Sequence, residues 1–144
     1  MDEIQPAGPS LHHIGYVVTG PIETVVDQWR ESLGATHVSE IFHDPIQRVR
    51  VLFLHLPAGA QVELVERASP DSPVTTFAEK GGGMHHLCFE VDDLDAHLAE
   101  MKTRKAVLVR RPQPAVAFDQ RRIAWMITRE RLLVEYLERA KAAG

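Results

Sequence analysis

A single cysteine, Cys88, stands among 144 residues. One thiol cannot form a disulfide within the chain, so the fold needs no covalent staple and suits a reducing compartment. Long apolar runs are also lacking. None approaches the roughly 20 residues that a membrane-spanning helix needs. The first residues, MDEIQPAGPS, are acidic and proline-bearing, unlike the basic-then-apolar start of a signal peptide. Nor does one sign of charge dominate: 16 Lys and Arg against 20 Asp and Glu give a net charge of −4 and no basic stripe. That balance gives no footprint for nucleic acid or an anionic membrane surface. Aromatic residues are few, at 6%, but 44% hydrophobic content is ordinary for a globular chain, and the length is about one domain's worth. The expectation is a cytoplasmic protein whose partner is a small molecule.

What the chain does have is a signature that occurs twice. Leu11-His12-His13-Ile14 returns as Met84-His85-His86-Leu87, 73 residues later. Val62-Glu63-Leu64-Val65-Glu66-Arg67 returns as Val134-Glu135-Tyr136-Leu137-Glu138-Arg139, 72 residues later. Two different motifs displaced by nearly the same distance imply a duplicated unit of about 55 to 60 residues. Pseudo-twofold symmetry between the copies would carry two His and two Glu to a shared centre.

The local pattern supports the duplication. Strand-like Leu11–Val18 is broken by Thr19-Gly20-Pro21, with Thr19 or Gly20 near the helix cap and Pro21 suited to the first turn. Ile22, Val25, Val26, Trp29 and Leu33 then follow helical spacing, and Gly34 is placed to stop the helix. Strands are expected around 36–42, from Arg48 to Leu56 and from Gln61 to Glu66. Residues 68–83 read as a connector, with one helical turn over Val74–Lys80. In the second copy, Met84–Val91 is strand-like, and Asp92-Asp93 caps a short helix carrying Leu94, Leu98 and Met101. Ala106–Arg110 is a short strand candidate, and Arg121–Thr128 with Leu132–Leu137 form a hairpin around Arg129-Glu130. The expected fold is α+β: two tandem βαβββ modules, 11–67 and 84–139, make one domain over residues 1–139, with helices on the outer face of a cupped mixed sheet and a tail at 140–144.

Alternation along a strand places adjacent histidines on opposite faces. His12 goes with Ile14, Tyr16 and Val18, and His85 with Leu87, Phe89 and Val91; these bulky apolar sets belong under the helices. His13 goes with Gly15 and Val17, and His86 with Met84, Cys88 and Glu90, sets that suit an open concave surface. His13 and His86 are therefore the expected metal ligands, with His12 and His85 packing beside them or orienting them. Glu63 and Glu135 lie between apolar neighbours, where a bare carboxylate is costly unless paired or bound to metal, and complete the expected set. Two imidazoles and two carboxylates suit one divalent ion of Co, Ni, Mn, Fe or Zn, and the set lacks the thiolates of a structural zinc site. Glu63 or Glu135 can double as a proton-transfer base, with His43, Asp44 and His55 as further candidates. Arg50 and Arg122, offset by 72, are candidates to hold a substrate carboxylate or phosphate.

Residues 11–139 resemble the vicinal oxygen chelate superfamily, which includes glyoxalase I, extradiol dioxygenases, bleomycin-type resistance proteins and methylmalonyl-CoA epimerase. The resemblance is carried by Leu11-His12-His13-Ile14-Gly15, by Val62-Glu63-Leu64-Val65-Glu66 followed by Asp71-Ser72-Pro73, and by the stretch from Gly82 to Asp93. That last stretch is most similar to the epimerase branch. The resemblance implies paired βαβββ modules around one divalent metal, a homodimer, and ligands at His13, Glu63, His86 and Glu135. It further implies an isomerase or epimerase that stabilises the enolate of an acyl thioester such as an acyl-CoA. A glyoxalase-type lyase or a non-catalytic small-molecule binder of the same fold are the alternatives. Two features depart from the epimerase branch. Its His-Pro-Lys turn before the last strand is replaced by Met126–Leu132, and the strand from Arg48 to Leu56 lacks the glutamate that some epimerases carry there.

Overall fold

A computed structural model of the chain describes residues 8–141. Residues 1–7 and 142–144, the latter most of the expected tail, lie outside them. Strand β1 (Ser10–Val17) leads into α1 (Ile22–Leu33), followed by β2 (His37–Val38), β3 (Phe42–Asp44), β4 (Val49–His55) and β5 (Gln61–Arg67). A short α2 (Thr75–Glu79) precedes β6 (Gly83–Val91), α3 (Leu94–Thr103), β7 (Val107–Pro114), β8 (Arg122–Ile127) and β9 (Leu133–Glu138). Among the described residues the nine strands make one mixed sheet in the order β2-β4-β5-β1-β6-β9-β8-β7, with β3 also paired to β4. The halves mirror each other. β1 pairs parallel with β5, β6 pairs parallel with β9, and β1 and β6 join the halves antiparallel.

The helices form where the sequence signals them. Gly34 adopts the left-handed conformation at φ 66°, which glycine enters without steric cost, and its N–H closes α1 on the Arg30 carbonyl. At the other end Pro21 occupies the cap itself rather than the first turn, and the free Ile22 N–H donates to Glu66 Oε1 at 3.0 Å. Asp93 caps α3 by accepting from the Ala96 N–H at 3.0 Å, as expected. The strand expected at 36–42 is instead two short strands. Ser39 interrupts it by using its hydroxyl oxygen to accept from the Phe53 N–H. Strand β7 runs four residues beyond Arg110 despite Pro112 and Pro114, because it is an edge strand and needs partners on one side only.

Alternation divides the core between the two faces of the sheet. On the convex face α1 covers Leu52, Leu54 and Leu64 with Ile22 and Trp29, and α3 covers Ala124, Met126 and Tyr136 with Leu94 and Leu98. The inner face carries Val17, Val51, Phe53, Val65, Cys88, Ile123 and Leu137. The connector helix α2 packs Ala78 against this inner cluster, so it departs from the outer-face arrangement of α1 and α3. Asp44 of β3 and Val109 of β7, from opposite ends of the sheet, line one cavity. The sheet is therefore cupped, and the four strands β5-β1-β6-β9 form its floor.

Candidate metal centre and cavity

Two cross-strand rows on that floor set the site. Gly15 faces Glu63 on one side and His86 on the other, and Cys88 faces His13 and Glu135. Each row has a small residue in the middle, which leaves room for side chains from both sides to lean over it. At Gly15 the space is already taken: a Cβ there would fall 2.0 Å from His86 Cε1. The four donor residues converge as the duplication implied, with one ligand atom from each within 4.8 Å of the others. His13 Nε2 lies 3.3 Å from His86 Nε2, 3.4 Å from Glu63 Oε1 and 3.3 Å from Glu135 Oε1. His86 Nε2 lies 3.3 Å from Glu63 Oε1 and 3.4 Å from Glu135 Oε1. All four side chains are buried.

The electrostatics follow from this crowding. Burial alone would push the His13 imidazole down, but the charge of Glu63 and the contacts with Glu135 override it and raise it to about 10. His86 is raised for the same reason, against the pull of its own burial. Burial pushes Glu63 and Glu135 upward, yet the two imidazoles prevail and hold both carboxyls below the usual range. Even so, Glu135 Oε1 is buried without any aligned hydrogen-bond donor. An orphaned carboxylate oxygen amid two imidazole nitrogens and a second carboxylate is a donor set whose unspent lone pairs fit a divalent cation.

The outer histidines do not lie on the opposite face. His12 and His85 are each an extra residue in the β1–β6 ladder, at bulges between Leu11 and His13 and opposite Gly15–Tyr16. A bulge resets alternation, so the first His of each pair turns toward the second. His12 Nδ1 meets His13 Nδ1 at 2.8 Å, and His85 Nδ1 meets His86 Nδ1 at 2.9 Å. This contact occupies Nδ1 of each inner imidazole and leaves Nε2 for the centre. His12 packs on Phe53 and Phe118, while His85 packs on Phe77 and Trp125. Tyr16 does lie under the helix, 4.5 Å from Trp29 between ring centroids.

A cavity of about 190 Å³ opens above the floor. Glu63, His86 and Glu135 form its polar end, and Val49, Val51, Val65, Ile123, Leu133 and Trp125 much of its wall. Of the further base candidates only Asp44 lines it, with Oδ1 tied to the Ile46 and Gln47 N–H groups. His43 is exposed, and His55 packs at a tilt against His37 at the sheet edge. Burial pushes the Cys88 thiol well up, so it packs as a small apolar group.

Arg50 and Arg122 do not reach this cavity. They lie on the helix face, where Arg50 binds Glu66 and Glu23 and Arg122 binds Glu138 and Asp95. The two triads repeat residue for residue at an offset of 72 and clamp each module's helix to its sheet. The substrate-holding role expected for these arginines therefore gives way to a structural one. The triad arrangement was legible in the repeat itself, since Glu23 and Asp95 share the offset. Arg50→Ala and Arg122→Ala are expected to leave ligand binding in the cavity unchanged within twofold. Each should lower stability by no more than about 1 kcal/mol, as partly exposed ion pairs do, measurable by urea denaturation.

Comparison with known proteins gives the site a context. Residues 5–125 match the family described as Glyoxalase/Bleomycin resistance protein/Dioxygenase superfamily. A mouse protein named mitochondrial methylmalonyl-CoA epimerase is 37% identical over 97 residues, covering 66% of this chain and 53% of the mouse protein. The chain thus spans about half the length of that relative. An ethylmalonyl-CoA/methylmalonyl-CoA epimerase of Cereibacter sphaeroides is 32% identical over 108 residues, covering 74% of this chain and 78% of its own. Among solved structures, a hypothetical protein from Bacillus halodurans superposes with a TM-score of 0.80 at 26% identity, over 94% of this chain and 98% of that one. Methylmalonyl-CoA epimerase from Mycobacterium tuberculosis superposes with a TM-score of 0.79 at 24% identity, over 91% and 88% of the two chains, which is a likeness of fold.

Proposed function

Because the chain belongs to the glyoxalase/bleomycin resistance protein/dioxygenase superfamily, we propose that it is a divalent-metal-dependent isomerase that epimerises an acyl-CoA thioester. His13, Glu63, His86 and Glu135 hold the metal, and Glu63 and Glu135 carry the proton. The observation that bears most weight is the convergence of these four buried side chains, three of which line a largely apolar cavity. The relatives named epimerases support the choice of reaction.

A bound divalent ion supplies Lewis acidity, taking up the negative charge that develops on a carbonyl oxygen when the neighbouring C–H ionises. The protein's own residues do the rest. Inversion at carbon needs a proton taken from one face and a proton returned to the other. Glu63 and Glu135 come from opposite modules and both line the cavity. In the metal-free chain the imidazoles hold both carboxyls below the usual range, and a bound cation would keep them anionic in their place, the form that can accept a proton. Apolar walls at Val51, Val65 and Ile123 exclude water, which strengthens every charge interaction at the floor.

The test is incubation of one stereoisomer of methylmalonyl-CoA in deuterium oxide, followed by NMR. Deuterium should enter the α position as optical purity falls; a chelator should stop both and an added divalent salt restore them. No exchange in the metal-supplemented protein overturns the reading, and turnover of a hemithioacetal in its place assigns the lyase chemistry instead. A further expectation concerns protons. With His13 raised to about 10, cation uptake near neutral pH must displace protons from the imidazoles, so metal affinity should climb as pH rises. Calorimetric titration in buffers of different protonation enthalpy reads the protons released, and a buffer-independent heat contradicts it.

A further inference from the structure

We propose that Arg110, the cross-strand partner of Trp125, forms an oxyanion subsite on the second module's wall of the cavity and selects ligands carrying a carboxylate or phosphate. The inference rests on the reading of this cavity as the substrate site. Strand β7 exposes every second residue, Val107, Val109, Arg111 and Gln113. Its register with β8 shifts on both sides of Arg110, between Leu108 and Arg110 and again between Arg110 and Gln113. The irregularity breaks alternation, and two adjacent residues, Val109 and Arg110, both line the cavity.

Arg110 is the only lysine or arginine among the lining residues. Among the described residues it makes no ion pair or side-chain hydrogen bond. Arg48, Arg50, Arg67, Arg121, Arg122 and Arg139 are by contrast each bound to a carboxylate. The other charges facing the cavity are the carboxylates of Asp44, Glu63 and Glu135 and the imidazole of His86, which those glutamates raise, while burial pushes His85 down to about 4. His86 is held between Glu63 and Glu135, so Arg110 is the one cation on the lining without a carboxylate partner. A half-buried guanidinium with all its donors unspent is suited to bidentate capture of an oxyanion. Its cross-strand partner Trp125 meets His86 edge to face at 4.7 Å between ring centroids, so the subsite and the four-residue centre share one wall. Both therefore line the cavity that a ligand enters.

The test is calorimetric titration of the full chain with malonate and with inorganic phosphate. It compares wild type with Arg110→Gln, Arg110→Lys and, as a control, the exposed neighbour Arg111→Gln. Saturable malonate binding that weakens about tenfold in Arg110→Gln, partly recovers in Arg110→Lys and stays unchanged in Arg111→Gln is the expected result. Malonate bound more tightly than phosphate places an acyl carboxylate at Arg110; the reverse order places a carrier phosphate there, and either order upholds the subsite. Absence of saturable binding, affinity within twofold of wild type in Arg110→Gln, or an equal loss in Arg111→Gln overturns it. None of these readouts needs turnover, so failure of the epimerase reading shows separately, as missing deuterium exchange in the wild type.

Discussion

Replacing His86 with alanine is expected to cut both metal affinity and α-proton exchange by at least about 100-fold. The size of the effect comes from the geometry. His86 Nε2 lies within 3.4 Å of His13 Nε2 and of a carboxylate oxygen from each glutamate, so no other group is poised to take its place. The same change should destabilise the metal-free protein. It removes one of the two imidazoles that hold Glu63 and Glu135 below their usual range and leaves two buried carboxylates to repel each other. Breaking a buried charge cluster in this way costs on the order of 3 kcal/mol. Metal analysis, deuterium exchange and denaturant unfolding check the three effects. Retention of stoichiometric metal by His86→Ala would remove it from the ligand set.

Gly15→Ala should be almost as damaging, although glycine offers no donor. The added Cβ would lie 2.0 Å from His86 Cε1 and 2.4 Å from both ring nitrogens, distances at which the imidazole must leave its position. Its contact with His85 Nδ1 and its approach to the glutamates would go with it. Overpacking of this kind costs about 1 to 3 kcal/mol, and metal affinity should fall by about an order of magnitude or more. Gly20→Ala is the matched control: a Cβ there has its nearest neighbour at 3.9 Å, so both properties should be unchanged. Equal metal content in Gly15→Ala and wild type would show that the His86 ring has room to move without consequence.

How much of this was legible from the residues varies by feature. The repeat offsets of 72 and 73 contain the two modules, because a duplicated fold keeps its spacing between motifs when its loops diverge. They also contain the pairing of His13 with His86 and of Glu63 with Glu135. The outer histidines were misplaced because alternation assumes an unbroken pleat. The bulges at His12 and His85 exist only once β1 lies beside β6, and nothing local announces them. Arg50 and Arg122 are a different case. Alternation places Arg50 with Leu52 and Leu54, opposite Phe53, so a strict count already assigns it to the helix face. Arg110 was hidden for the converse reason: a regular strand would send Val109 and Arg110 to opposite sides, and the register shifts of β7 bring both to the cavity. Gly15 reads as a routine small residue until His86 is folded over it.

X-ray absorption spectroscopy of the metal-loaded chain is the most direct test of one cation held by two imidazoles and two carboxylates. The account predicts one ion per chain, with a first coordination shell of nitrogen and oxygen and multiple scattering from two histidine rings. A shell without imidazole scattering, one containing sulfur from Cys88, or a chain that takes up no ion would contradict it.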